Sequence, residues 1–244
     1  IRHAIYAIYG YVRLADEIVD SFHDYDKASL LQRFKIETWT ALEEGISLNP
    51  ILQSFQDTVN HFAIDKTLIE QFLHSMQMDL QQIDYNSDLY NQYILGSAEV
   101  VGLMCLQVFV EGNKETFDNL KPYAMKLGSA FQKVNFLRDL KDDYHVLGRT
   151  YFPNIDMKTF DNKIKLEIEN EIEAEFKEAL TGIKKLPASS KFGVYLAYKY
   201  YLSLFKKIKS TPAEKIMNQR IRIPNSQKFS LAMSSYVQYK MAII

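Results

Sequence analysis

Two pairs of aspartates, Asp16 with Asp20 in RLADEIVD and Asp139 with Asp143 in NFLRDLKDD, recur at a spacing of four residues within stretches of helical pattern. Side chains four apart lie on one face of an α-helix, so each pair projects two carboxylates into whatever that face lines. Hard oxygen ligands presented in this way suit Mg2+, which takes one or two carboxylates and completes its octahedral shell with water and phosphate oxygens. The chemistry implied is a metal-diphosphate site, and two such faces opposed across a cavity would hold several ions.

The neighbours of each pair refine this reading. At about 100° per residue, Tyr9, Arg13, Asp16 and Asp20 form one stripe with Glu17 at its edge. Burying Arg and two Asp together is costly unless the carboxylates are paired, hydrogen-bonded or metal-bound. Two readings stand for this stripe alone: a metal site, or a solvated face with an Arg13–Asp16 or Arg13–Glu17 ion pair. Ile5, Ile8, Val12, Ile18 and Val19 flank the stripe and leave little of the helix to face water. The second stripe is more specific. Gln132, Asn135, Asp139 and Asp143 fall at offsets of 0, 3, 7 and 11, joining two amides to two carboxylates. Arg138, Lys141 and Arg149 lie nearby, and Arg grips a diphosphate bidentately. The alternative is a polar seam between helices, which rarely concentrates so much negative charge without cations.

The elements that must position these residues read as helices near 2–22, 27–45, 50–62, 66–84, 88–112, 116–146, 162–185, 189–209 and 227–240. Asn49-Pro50, Gly112-Asn113, Leu186-Pro187 and Thr211-Pro212 punctuate them. The least regular stretch, GRTYFPNIDMKTFDN, follows the second aspartate pair directly. Between the stripes, YILGSAEVVGLMCL sets Gly96, Ser97, Ala98 and Gly102 into an apolar helix, which serves either close helix packing or room for a ligand. With no flexible linker, strand run or repeat, the 244 residues read as one all-α domain, and 47% hydrophobic content suffices for its core.

Composition narrows the function. Twenty-nine Lys and Arg against thirty Asp and Glu give a net charge of −1, so no global field recruits nucleic acid. A single cysteine, Cys105, excludes an internal disulfide and suits a reducing cytoplasm, and its apolar setting reads as packing rather than nucleophilic chemistry. No signal peptide or span of about 20 apolar residues stands out, nor does an isolated amphipathic basic helix. The five histidines show no metal-ligand spacing. The chain opens inside an apolar helical pattern without a starter methionine or cap, which leads to the expectation that upstream residues are missing.

With these residues in place, the chain resembles the squalene/phytoene synthase family, and within it the bacterial phytoene synthases. AIYGYVRLADEIVD is similar to the family's first aspartate-rich motif. The segment Leu127 to Pro153 resembles the second, through Gly128, Ala130, Gln132, Asn135, Arg138, Asp139, Asp143, Gly148, Arg149, Tyr151 and Pro153. YILGSAEVVG resembles the segment between them through Tyr93, Gly96, Ala98 and Gly102. The likeness runs to about Tyr201 and faintly to Arg220. In three respects the chain departs from the pattern: it has no upstream phosphate-contacting segment, it has Ile94 and Leu95 after the matching tyrosine, and it has Asp142 where Glu is common.

The resemblance implies an isoprenoid-synthase-type helical bundle around a central apolar cavity. It implies a prenyltransferase that joins two prenyl diphosphates head to head in carotenoid biosynthesis, two geranylgeranyl diphosphates giving phytoene through a cyclopropylcarbinyl diphosphate. Asp16, Glu17, Asp20, Asn135, Asp139 and Asp143 would hold Mg2+, with Mn2+ as a substitute. Tyr9, Arg13, Tyr93, Gly96, Ser97, Gln132, Asn135, Arg138, Arg149 and Tyr201 would bind substrate, and Arg13 would share catalysis with the four aspartates. The alternatives are a farnesyl diphosphate-using dehydrosqualene or squalene-type synthase, and a non-catalytic relative serving as an assembly or lipid-binding module. A cytoplasmic protein is expected, with peripheral contact at the inner membrane face for its lipophilic product. Oligomeric state is unreadable.

Overall fold

The computed structural model describes residues 1–81, 85–145, 151–153, 155 and 159–241. Their regular elements are helices: α1 (Arg2–Asp20), α2 (Lys27–Glu44), α3 (Pro50–Phe62), α4 (Lys66–Met78), α5 (Ser87–Ile94), a π turn (Leu95–Glu99), α6 (Val100–Phe109), α7 (Lys114–His145), α8 (Asn162–Lys185), α9 (Ala188–Lys209), α10 (Ala213–Asn218) and α11 (Asn225–Lys240). No strand occurs among the described residues, as the scarcity of Gly and Pro and the helical periodicity predict.

Local chemistry sets the helix starts. The first N–H groups of a helix lack partners, and short polar side chains supply them. Asp26 accepts from the Ser29 amide at 3.1 Å, Asn49 from Ile51 at 3.0 Å, Asp65 from Thr67 at 2.9 Å, and Asp161 from Lys163 and Ile164, each at 2.9 Å. Pro50 at the first position of α3 gives up an N–H that needed no partner. Gly45, at φ 70°, ends α2 in a left-handed conformation that suits glycine.

Three expectations are corrected. The helix expected over 66–84 ends at Met78. The helix expected over 88–112 is α5, a π turn and α6. The residues Ser87–Phe109 are, by length and composition, apolar enough to cross a membrane, contrary to the expectation of no such span. Here the π turn and α6 instead pack against α4, and α6 against α1. The short helix α10 was not expected.

The chain divides into two compact units, Ile1–Ile83 with Gln92–Lys121, and Asp84–Asn91 with Pro122–Ile244. In the first, α1 touches α2, α3, α4 and α6. Its anchor is Tyr11, fully buried, whose ring lies flat on Phe55 with centroids 3.7 Å apart and planes 3° from parallel. Phe34 at 5.1 Å and Phe72 at 5.7 Å close the cluster, so helices α1 to α4 each contribute one aromatic ring. In the second unit, Phe131 of α7 stacks on Tyr201 of α9 at 3.9 Å and leans on Phe176 of α8 at 6.3 Å. Phe176 continues to Tyr198 and Phe205, both at 5.6 Å. Antiparallel to α9 runs α11, joined by Tyr195 donating to Gln238 at 2.8 Å and Gln227 donating to Ser203 at 3.2 Å.

One glycine is demanded by a close approach. A Cβ on Gly96 would lie 2.6 Å from the Gln71 carbonyl oxygen and 2.8 Å from the Ser75 Cβ, so the π turn presses directly onto α4. By contrast, a Cβ on Gly193 in the middle of α9 would meet nothing within 4 Å. In thermal or urea unfolding, Gly96→Ala is expected to destabilise by about 1–3 kcal/mol through overpacking. Gly193→Ala is expected to stabilise by about 0.5–1 kcal/mol through helix propensity.

Candidate functional site

The predicted site residues lie in both units, and each group has its own geometry. On α1, Tyr11 fixes the helix by one side; Tyr9, Arg13, Asp16, Glu17 and Asp20 occupy the other, about 180° away at 100° per residue. Tyr9 and Arg13 are exposed and the three acids are half-buried. Arg13 donates from Nη1 to Asp16 Oδ2 at 2.7 Å and from Nη2 to Glu17 Oε1. The ion pair offered by the blander reading of this stripe therefore forms, yet it does not settle the charge. Burial pushes the Asp16 carboxyl up to about 6; Asp20 and Glu17 add to the rise, and Arg13 only partly offsets it. The side chain is still 39% accessible, so protons and ions reach it. The helix end at Asp20 is held by Lys27 of α2, whose ammonium donates to the carbonyls of Val19 at 3.0 Å and Asp20 at 3.4 Å.

On α7, Asn135, Arg138 and Asp139 come together with two residues from farther along the chain. Tyr201 of α9 donates from its hydroxyl to Asn135 Oδ1 at 3.3 Å. Arg138 grips Asp139 through Nε, 3.0 Å from both carboxylate oxygens, and through Nη2 to Oδ2. Arg220, which follows α10, reaches the same carboxylate with Nε 2.7 Å from Oδ1. Burial opposes the charge of Arg138, but the Asp139 carboxylate outweighs it and holds the guanidinium above its usual range. Burial also raises the Tyr201 phenol, against the pull of Arg138 and Asn135. Gln132 and Asp143 lie on the same face of α7, half-buried. Arg149 and Gly148 fall outside the described residues. Just beyond, Tyr151 stacks on Phe136 at 4.2 Å and Phe152 packs edge-on to it at 5.9 Å.

The residue after Gln132 belongs to a different cluster. Lys133 is buried; its ammonium meets Glu171 and, at 2.8 Å, Glu175 of α8, to which Ser129 also donates at 2.9 Å. Lys126 stands 3.7 Å from Glu175. Lys126, Ser129 and Lys133 share one side of α7, so these contacts fix how that helix is turned and thereby where the Gln132–Asp143 stripe points.

The middle segment is arranged differently from what the resemblance implies. Tyr93 is buried and donates to Asp79 Oδ2 at 2.8 Å, a partner the sequence reading did not single out. Gly96 packs against α4. Ser97 lies in the π turn with its hydroxyl shielded from solvent and without a hydrogen-bond partner among the described residues. Such turns recur at functional sites.

Among the described residues no three His, Cys, Asp or Glu side chains gather as a closed metal shell. The donors are nevertheless of the right kind. Asp16, Glu17, Asp20, Asn135, Asp139 and Asp143 offer only oxygen to a metal, and Asp16 is a carboxylate whose surroundings favour added positive charge. That donor set fits Mg2+ or Mn2+ completed by water and phosphate oxygens. Arg220 and Lys133 were missed by sequence reasoning. Arg220 has no spacing relation to Asp139, and Lys133 reads in sequence as one more solvated charge.

Comparison with known proteins extends these observations. The chain is 28% identical over 234 residues to the phytoene synthase 1, chloroplastic, of Solanum lycopersicum, covering 86% of this chain and 55% of that protein, so it spans about half the length of this relative. It is 27% identical over 256 residues to the phytoene synthase of Arthrospira platensis, covering 93% of this chain and 81% of the other. A dehydrosqualene synthase solved in complex with ligand shares the fold at a TM-score of 0.80 and 20% identity, over 98% of this chain and 87% of that one. The family model for squalene/phytoene synthase matches residues 1–227, both aspartate helices included, and the chain belongs to that family.

Proposed function

We propose that this protein is a Mg2+-dependent prenyltransferase of carotenoid biosynthesis that condenses two prenyl diphosphates head to head, two geranylgeranyl diphosphates giving phytoene. The observation that carries the reading is Asp16: despite its ion pair with Arg13, its carboxyl is held at about 6 by burial and by Asp20 and Glu17. A helix face that keeps acids in excess of its own counter-charge is built to receive cations. Family membership and the phytoene synthases among its relatives support the substrate class.

When bound, Mg2+ would supply the charge that offsets the negative diphosphate as it leaves the allylic carbon. The protein's own groups do the rest. Asp16, Glu17 and Asp20 on α1, and Asn135, Asp139 and Asp143 on α7, present the oxygen ligands. Tyr201 holds the Asn135 carboxamide by its oxygen and so fixes its orientation. Arg13 and Arg138 sit beside the carboxylates and add cationic charge toward diphosphate oxygens. The double bond of the second prenyl chain attacks the allylic cation, and the resulting cyclopropylcarbinyl diphosphate ionises, rearranges and loses a proton. Apolar side chains must keep water from these cations.

Incubating the protein with Mg2+ and either geranylgeranyl or farnesyl diphosphate, without reductant, is expected to yield phytoene from the longer substrate. Hydrocarbon from farnesyl diphosphate alone would overturn the phytoene assignment in favour of a dehydrosqualene-type synthase.

Asp16→Asn or Asp139→Asn is expected to lower turnover by about a hundredfold or more. Unchanged turnover in both would remove the site assignment and leave a non-catalytic relative.

Asp16→Asn also has a signature in stability. The folded carboxyl at about 6 lies above its ordinary 3.8, so the folded state favours the protonated acid. The charged form therefore burdens folding as pH rises from about 4 through about 6. In chelator, the variant should melt higher than wild type at about pH 7.5 and equal to it at about pH 4. A variant that melts lower at the higher pH would show that the Asp16 charge stabilises the fold.

A further inference from the structure

The outward face of α11 carries what a solvated helix ordinarily hides. Phe229 is 72% exposed, Met233 52%, Val237 49% and Tyr236 47%, and their spacing puts all four on one side of the helix. The opposite side, where Ser235 is fully buried, is the one that meets α9, through Phe192 against Tyr236 and Tyr239 at 5.9 and 5.3 Å. Apolar side chains thus lie on both sides of α11, which is why the sequence pattern does not read as amphipathic. Contiguous exposed apolar surface of this kind marks an interaction face.

Charge identifies the partner. From Ala188 to Ile244 the chain holds eight Lys and two Arg against a single acid, Glu214, a charge of +9. The 187 residues before it hold nineteen basic and twenty-nine acidic side chains, so the near-neutral total hides a strong asymmetry. Lys228 and Lys240 stand near the two ends of the apolar stripe. Lys228 lies over the Tyr200 ring at 5.9 Å and Lys240 over the Tyr236 ring at 5.7 Å, stems along aromatic surface and ammonium heads outward. Basic heads around an apolar stripe match phosphate headgroups around acyl chains. A second copy of the same surface would bring like charge against like charge.

We infer that the Phe229–Met233–Tyr236–Val237 face of α11 is a docking surface for an anionic lipid bilayer, lying in the headgroup layer with its lysines at the phosphates. This rests on α11 and its charge and not on the reaction read above, and binding is measured with no substrate present. The full chain is floated at low salt with vesicles of phosphatidylcholine alone or with about one third phosphatidylglycerol. Binding should be about tenfold stronger to the anionic vesicles and fall with added salt. Phe229→Ser/Met233→Ser/Val237→Ser should lose about tenfold in binding with helix content retained, and Lys228→Glu/Lys240→Glu should weaken binding and flatten its salt dependence. Should the triple variant unfold, the charge-reversed pair, both at exposed positions, decides alone. Equal binding to both vesicles, or undiminished binding by a folded variant, overturns the proposal. So does a lipid-free dimer that the triple substitution makes monomeric while vesicles are not bound.

Discussion

A carboxylate withdrawn from bulk water needs a cation close by, and much of this molecule is organised around that requirement. It is met in different ways at different depths. Glu169 pairs with Lys165 inside α8, both buried, and Lys165 also donates to the Lys209 carbonyl of α9 at 3.4 Å. Glu175 takes Lys133 and Ser129 from α7, although its second oxygen lacks a partner. Nearer the surface, Asp139 lies between two guanidiniums. Asp16 has one guanidinium, shared with Glu17, and two acidic neighbours. The deep pairs are closed and serve geometry. The shallow ones are reachable and only partly neutralised, which is the condition of a site rather than of a scaffold.

Replacing a buried ion pair with apolar residues is often neutral or stabilising, so the Lys133 cluster is not retained for stability alone. Its place on the chain suggests what it contributes. Lys133 follows Gln132 directly and precedes Asn135, Arg138 and Asp139 by a turn or two of α7. A charged lock onto α8 at that point fixes the rotation of the helix about its own axis. On another side of α7, Phe131 stacks on the ring of Tyr201 while the hydroxyl of that tyrosine meets Asn135. One residue of α9 thereby supplies both packing and polar alignment to the helix that carries the ligands.

Much of the fold was legible in the sequence because it depends on local chemistry. The caps at Asn49 and Asp161, the Pro50 start and long periodic stretches such as 162–185 place helices with little help from tertiary structure. Where tertiary contact decides, the pattern was silent. Six residues of α10 are too few to show a period. The π turn depends on how closely Gly96 meets Gln71, a distance that no composition records. The stripes on α1 and α7 were legible because helical spacing is local. Arg220 was not, because its relation to Asp139 exists only once the chain has turned back through α9 and α10. Tyr93 shows the opposite limit: its motif position was evident, but its hydroxyl is already engaged by Asp79.

The π turn also bears on how the chain tolerates change. A π turn takes up one residue more than an α-helix would use over the same rise, and here that extra residue sits between Ile94 and Val100. Exchanging one small side chain for another within it alters packing at a point. Deleting a residue would regularise the helix and turn everything beyond it by about 100°, swinging Leu103, Met104 and Val108 off the core they now fill. For this segment the number of residues is as strict a specification as their identity, and a gap in inheritance would be far more damaging than a substitution.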